Sequence, residues 1–181
     1  MKTTLTLEQA EAKVRSTLGD HEDLIPHLTE EIPGIGWYFC PQSKKYIQTD
    51  DPRDMLVGSC GVLVNKDTGE IYRMGSAYPR EYWIEAYQKG IGGVCDLLVT
   101  SVKDKGEAVE LLLALRLLFV EPEEAYGEVW TIPQTFSRNM LMKCLDNLPV
   151  RFEDQSLVFH LEVIKQLEES CALEFEIIRK R

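Results

Sequence analysis

The stretch Leu63–Tyr87, LVNKDTGEIYRMGSAYPREYWIEAY, constrains the fold more than any other part of the chain. Two apolar runs lie on either side of the turn-forming triplet Asp67-Thr68-Gly69, which predicts an antiparallel hairpin with strands at about 60–65 and 70–74. Pro79 follows at a position typical of a helix start. A hairpin that leads directly into a helix indicates an α+β arrangement built on an antiparallel sheet.

The N-terminal residues predict a helix that can cover such a sheet. Thr6 is a suitable capping residue, and Ala10, Val14 and Leu18 recur at four-residue spacing on one face. Gly19 is expected to end the helix.

Between this helix and the hairpin we expect a linker and a second pair of strands. Pro26 and Pro33 mark the linker. Apolar and aromatic residues at 37–39 and 46–47 flank the turn-forming triplet Pro41-Gln42-Ser43, which predicts two adjacent strands or a hairpin.

A glycine-rich segment, KGIGGVCD at 89–96, is the predicted boundary between two domains, 1–90 and 91–181. It lacks both the glycine spacing of a dinucleotide-binding turn and the Lys-Ser/Thr of a phosphate loop, so a linker is the better interpretation. The expected fold class is therefore α+β, with a helix, an antiparallel sheet and a helix followed by a second small α/β sandwich unit.

The second domain is expected to have the order β-α-α-β-α-β, typical of small α/β sandwiches. Its closing helix has Ser156 as a candidate cap and carries an apolar stripe of leucine and isoleucine residues. The predicted elements are a strand at 95–102, a helix at 104–119, a second helix at 121–132, a strand or irregular segment near 139–145 or 150–154, the stripe Leu157, Leu161, Ile164 and Leu167, and a closing strand at 172–180.

The chain carries a formal charge of −10 at neutral pH, and this restricts its partners. A strongly acidic protein repels phosphate backbones, so we expect no nucleic-acid partner. Acidity also speeds the encounter with a basic protein, although it can simply keep a protein soluble. The sequence has no apolar run of membrane-spanning length and no secretory signal, so we expect a cytoplasmic protein without a membrane partner.

The sequence offers no recognisable catalytic or metal-binding constellation. The five cysteines are scattered without a CxxC pair, and the three histidines are not near them in sequence. Glu81 and Glu85 lie one helical turn apart but have no accompanying histidine. Ser76 lacks the spacing of a nucleophile elbow. We therefore expect no enzyme activity, no metal and no cofactor.

Residues 36–87 resemble the immunity protein 35 (YrhB-like) family. The resemblance rests on motifs in a fixed order: GWYF at 36–39, QSKKY at 42–46, KDTGEI at 66–71, GSAYP at 75–79 and EAY at 85–87. The match extends over about residues 6–90. The motif positions interpreted as scaffold are Trp37, Gly69, Gly75, Ser76, Pro79, Glu85 and Tyr87.

This resemblance implies a bacterial immunity protein that binds and blocks a toxin delivered by neighbouring cells. Six glutamates and a single basic residue occupy positions 107–128, so the predicted pair of helices there is the candidate toxin-binding surface, with two aromatic residues as anchors. The candidates are Glu107, Glu110, Glu121, Glu123, Glu124, Tyr126, Glu128 and Trp130. A basic active-site cleft, as in a nuclease or an ADP-ribosyltransferase, would complement this charge.

Three other interpretations remain open. The acidic helices can be an ordinary solvated surface with Trp130 in the core. The chain can also be a small chaperone or adaptor that binds many clients weakly, or a hydrolase that reverses toxin damage.

Overall fold

The computed structural model describes residues 4–17, 24–58, 60–125 and 128–180. The chain divides into two compact units, Met1–Glu85 and Ala86–Arg181, which we call the first and second units. Both combine helices with antiparallel sheets, and the predicted α+β class is confirmed. The predicted domains, 1–90 and 91–181, stay a prediction about which parts fold independently.

The first unit is built on a four-stranded antiparallel sheet in the order β1-β2-β3-β4. A short 3₁₀ turn, Pro52–Asp54, lies between α2 and β3. The boundary between the two units falls within α3. The elements are α1 (Leu7–Thr17), β1 (Leu24–Ile32), β2 (Gly36–Ser43), α2 (Lys44–Thr49), β3 (Gly61–Asn65), β4 (Ile71–Met74) and α3 (Arg80–Gln88).

Helix α1 covers one face of this sheet, as its apolar spacing predicts. Thr6 and Gln9 form a reciprocal cap in which each side chain accepts a hydrogen bond from the other's backbone N–H. Ala10 and Val14 are fully buried in a core cluster that includes Phe39 of β2. Leu18 and Gly19 lie outside the described residues.

Two predictions for residues 24–49 were wrong. The expected linker is strand β1, an edge strand whose register shifts between Pro26 and Leu28. Edge strands and bulges tolerate proline because no ladder hydrogen bond is lost there. The expected strand around residues 46–47 is helix α2, which begins because the Ser43 side chain accepts a hydrogen bond from the Tyr46 N–H.

The predicted hairpin and helix at 60–88 are confirmed. Strands β3 and β4 pair around a turn in which the Asn65 side chain accepts hydrogen bonds from the Asp67 and Thr68 N–H groups. Gly69 closes the turn with φ +70°, a conformation that favours glycine. Pro79 immediately precedes α3.

The second unit contains a three-stranded antiparallel sheet in the order β8-β5-β9 and a separate two-stranded sheet, β6-β7. The apolar stripe of α6 is buried as predicted, although α6 begins at Leu161, after a 3₁₀ turn at Val158–His160, and not at Ser156. The elements are β5 (Val94–Val102), α4 (Lys105–Ala114), β6 (Leu118–Ala125), β7 (Glu128–Thr135), α5 (Arg138–Cys144), β8 (Val150–Ser156), α6 (Leu161–Ser170) and β9 (Leu173–Arg179).

The predicted order β-α-α-β-α-β was wrong in the middle of this unit. The helix expected at 121–132 is the hairpin β6–β7, and the segment near 139–145 is helix α5. Helix α4 ends at Ala114 because Arg116 adopts a left-handed conformation, φ +51°, which turns the chain into β6. The true order is β-α-β-β-α-β-α-β.

Candidate functional site

Among the residues of the second unit that the structure describes, the hairpin β6–β7 carries the largest group of exposed apolar side chains. Its strands pair without a register shift from Leu118 opposite Thr135 to Ala125 opposite Glu128. Four large apolar side chains on it are about half exposed or more: Val120 (57%), Val129 (64%), Trp130 (52%) and Ile132 (48%). Several exposed apolar side chains on one short hairpin mark it as a candidate interaction site.

The β structure follows from the residues themselves. Val129, Trp130, Thr131 and Ile132 are consecutive β-branched or aromatic residues, which favour strands over helices. Opposite residues in an antiparallel pair share a face, and successive residues alternate between faces. Val120 and Val129 therefore lie on one face of the hairpin and Trp130 and Ile132 on the other, so both faces carry exposed apolar groups.

A buried glutamine anchors the base of the hairpin to β8. The Gln155 side chain accepts a hydrogen bond from the Leu118 N–H at 2.7 Å and donates one to the Leu118 carbonyl at 2.8 Å. Its amide also donates to the Glu153 carbonyl. The rings of Phe119, Phe136 and Phe152 pack in sequence beside this anchor, with centroid distances of 4.8 and 5.2 Å.

Two grooves flank the base of the hairpin. One, of about 470 Å³, is lined by the three phenylalanines together with Val120, Pro133 and Arg151. The other, of about 400 Å³, is lined by residues that include Arg116, Phe159 and His160. Burial, with a contribution from Arg116, lowers the pKa of His160 from its ordinary value.

The predicted site residues are only partly brought together. Glu107 and Glu110 lie on α4, which packs against α5 and α6, and Glu110 forms an ion pair with Arg138 of α5. The predicted pair of acidic helices was therefore wrong. On the hairpin, Glu121 lies opposite Ile132, Glu123 opposite Trp130, Glu124 opposite Val129 and Glu128 opposite Ala125, while Tyr126 lies outside the described residues.

The interpretation of Trp130 as a core residue was wrong, because half of its side chain is exposed. Sequence reasoning also missed Val120, Val129 and Ile132 because a helical interpretation hid their strand alternation. The four consecutive strand-favouring residues 129–132 were the signal that could have revealed them. Gln155 had no such signal, since its role depends on a contact across 37 residues.

A buried ion-pair network lies at the edge of the larger groove. Asp96 of β5 is fully buried and accepts hydrogen bonds from the Arg151 Nε and the Asp154 N–H, both at 2.8 Å, while Lys180 lies 3.1 Å away. Burial alone would raise the pKa of Asp96, but these donors outweigh it and lower the pKa to about 2. The network holds β8 against β5 where their register shifts.

Among the residues that the structure describes, no cluster of histidine, cysteine, aspartate or glutamate side chains is arranged to hold a metal ion. All five cysteines are free thiols, and burial raises the pKa of Cys95 to about 11. No helix within the described ranges is long and apolar enough to cross a membrane.

Comparison with known proteins identifies the family to which the first half of the chain is similar. Residues 8–87 match the sequence model of immunity protein 35. A protein of Escherichia coli K12, described as uncharacterized protein YrhB, is 36% identical over 84 residues, which cover 46% of this chain and 89% of the relative. The chain belongs to the immunity protein 35 family. No solved structure matches it.

The immunity protein 35 region runs from α1 into α3, so the hairpin β6–β7 lies outside it. Membership assigns the chain a general role as an immunity protein, which implies a cognate toxin as partner and points to a protein without catalysis of its own. What the second unit adds to this role is not part of the family match.

Several motif residues of the immunity protein 35 region have structural contacts. The Trp37 ring packs on the core beneath α1, and Gly75 lies so close to Trp83 that a Cβ at this position would be 2.9 Å from the ring. Tyr87 is buried, and the Arg179 guanidinium carbon lies over it, 4.5 Å from the centroid of the Tyr87 ring. Ser76 is exposed and Glu85 is half buried.

Proposed function

We propose that this protein neutralises its cognate toxin by direct stoichiometric binding in the cytoplasm during competition between bacteria, and that hairpin β6–β7 makes the decisive contact. The exposed apolar residues of the hairpin carry this proposal. An inhibitor must dissociate slowly, and slow dissociation requires anchors that become desolvated in the complex. Trp130 is the best anchor of the set because tryptophan is enriched among residues that dominate binding energy.

The charge of the hairpin supports a basic partner. Between Leu117 and Thr135 the sequence contains four glutamates and no lysine or arginine. Such a surface attracts a cationic site before contact and repels an anionic one. The active-site clefts of nucleases and of ADP-ribosyltransferase-like toxins bind phosphates and are cationic, which makes them suitable targets.

The two halves of the chain divide the work in this proposal. The immunity protein 35 region is a shared scaffold, and the second unit adapts the molecule to its own toxin. The absence of the hairpin from the family match supports this division.

Copurification tests the proposal. The toxin domain encoded beside the gene, in a catalytically inactive form, is mixed with the wild-type chain and with Trp130→Ala. We expect a 1:1 complex with the wild type and a loss of affinity of about thirtyfold or more for the variant, the range of a hot-spot residue. Met142→Ala on α5, another partly exposed apolar residue, is the matched control and should bind normally. Equal binding by wild type and Trp130→Ala would contradict the role of the hairpin.

The same exposed side chains favour a second candidate function, a small chaperone or adaptor. Such a protein would bind many unfolded clients weakly, whereas an immunity protein binds one folded partner tightly. Prevention of aggregation of unrelated unfolded proteins, without a stable complex with the toxin domain, would favour this alternative.

A further inference from the structure

Hydrogen-bonded and non-hydrogen-bonded pairs alternate along the hairpin, and this alternation determines whether another strand can pair with its edges. In an antiparallel pair, residues alternate between hydrogen-bonded positions, whose N–H and C=O point to the partner strand, and non-hydrogen-bonded positions, whose groups point outwards. Gln155 holds both the N–H and the C=O of Leu118. Leu118 opposite Thr135 is therefore a non-hydrogen-bonded pair. Consistent with this, the Phe136 N–H donates to the Leu117 carbonyl at 3.1 Å.

This alternation places both prolines of the hairpin at non-hydrogen-bonded positions, whose backbone groups point away from the partner strand. Counting in steps of two from Leu118 along the unbroken register gives the pairs Val120–Pro133 and Pro122–Thr131. Pro122 thus removes an outward N–H from the edge of β6, and Pro133 removes one from the edge of β7. Neither proline costs a hydrogen bond inside the hairpin.

These prolines oppose strand addition at either edge. An added strand needs outward donors about every 6.8 Å along the edge, the spacing of alternate strand residues. A proline ring in the middle of the edge removes one donor and obstructs the incoming backbone. A hairpin with exposed apolar faces is thereby protected from self-association through its edges.

We propose that the hairpin enters a cleft of the toxin as a wedge, with both faces covered and neither edge paired. This inference rests on the proposed function. The partner surface in this proposal is a cleft with apolar walls and a cationic floor, because Val120 and Val129 on one face and Trp130 and Ile132 on the other are all exposed. A flat partner surface could cover only one of these faces. Glu123, Glu124 and Glu128 hold register positions at the closed end of the hairpin, the part of a wedge that enters deepest, and their charge complements a cationic floor.

Paired substitutions on the two faces test the wedge. Val129→Thr alters one face and Ile132→Thr the other, and both keep a β-branched residue that suits a strand. Binding to the catalytically inactive toxin domain is measured by calorimetry. We expect each variant to lose about tenfold in affinity, because each replaces buried apolar contact with a hydroxyl. Val57→Thr, at an exposed valine in the first unit, is the matched control and should leave affinity unchanged.

Two further variants test the edges. Pro122→Val and Pro133→Val restore an outward N–H, and we expect no gain in affinity for the toxin domain together with concentration-dependent self-association in sedimentation experiments. If only one of Val129→Thr and Ile132→Thr lost affinity, or if either proline variant gained affinity, the wedge would be overturned while the proposed function stayed intact. Failure of the wild-type chain to bind the toxin domain would overturn both.

Discussion

The side-chain amide of Gln155 holds both backbone polar groups of Leu118, accepting from its N–H at 2.7 Å and donating to its carbonyl at 2.8 Å. The side-chain amide of Gln155 thereby makes the two hydrogen bonds with Leu118 that the backbone of a neighbouring strand would make. This buried side chain ties the base of the hairpin to β8.

Gln155→Leu should release the hairpin from β8. The substitution keeps a similar volume but removes the partners of two backbone groups, which costs about 1–3 kcal/mol in the free energy of unfolding. Hydrogen exchange in residues 118–135 should become faster. Gln134→Leu, at an exposed glutamine of the same hairpin, is the control. Equal exchange rates in the two variants would show that the anchor has no effect.

Asp96 should make the second unit sensitive to acid. Its pKa is lowered to about 2 in the folded protein, against an ordinary value of about 3.9 in an unfolded chain. A lowered folded pKa contributes stability above the unfolded value, and this contribution is lost as pH falls from about 4 through about 2.

Asp96→Asn should therefore reduce stability at neutral pH and flatten the loss of stability between pH 4 and pH 2. Denaturant unfolding at several pH values measures both effects. Asp67→Asn in the exposed turn of the first unit is the control. If Asp96→Asn retained the pH dependence of the wild type, the ion-pair network would not be its source.

Gly75 should tolerate no side chain. A Cβ at this position would lie 2.9 Å from Cζ2 of the buried Trp83 ring, so Gly75→Ala should destabilise the protein by about 1–3 kcal/mol through overpacking. Gly93→Ala is a matched control because a Cβ there meets nothing within 4 Å. Thermal unfolding distinguishes the two, and an equal melting temperature for both variants would refute the packing role of Gly75.

Glu121→Lys should slow association with the toxin domain. The substitution reverses one charge on the exposed hairpin, and the effect should shrink as salt screens it. Glu176→Lys makes the same change at an exposed strand position in β9 and should have a smaller effect. Stopped-flow association rates at low and high salt provide the comparison. If both variants associated equally slowly, net charge and not the hairpin would govern the encounter. The same result is expected for Glu123→Lys and Glu124→Lys.

Local sequence signals predicted the parts of the fold that depend on neighbouring residues. The Asp67-Thr68-Gly69 turn, the spacing of Ala10 and Val14, and the stripe of α6 each have causes within a few residues. The family resemblance was found in the same way and is confirmed by the family match.

The errors arose where long-range contacts decide the structure. The two prolines near β1 suggested a linker, but pairing with β2 makes the segment an edge strand. The glutamates at 121–124 suggested a helix, but the pairing of β6 with β7 and the anchor from Gln155 favour strands. Local propensity is a weak prior that such contacts override.

The most direct test of the central claim is a titration of active toxin with this protein at concentrations well above their dissociation constant. Stoichiometric occupancy predicts that residual toxin activity falls linearly and reaches zero at one equivalent. Complete protection by a small fraction of an equivalent would show that the protein turns over a substrate. Toxin activity that persisted beyond one equivalent, with no complex formed, would contradict inhibition by direct binding.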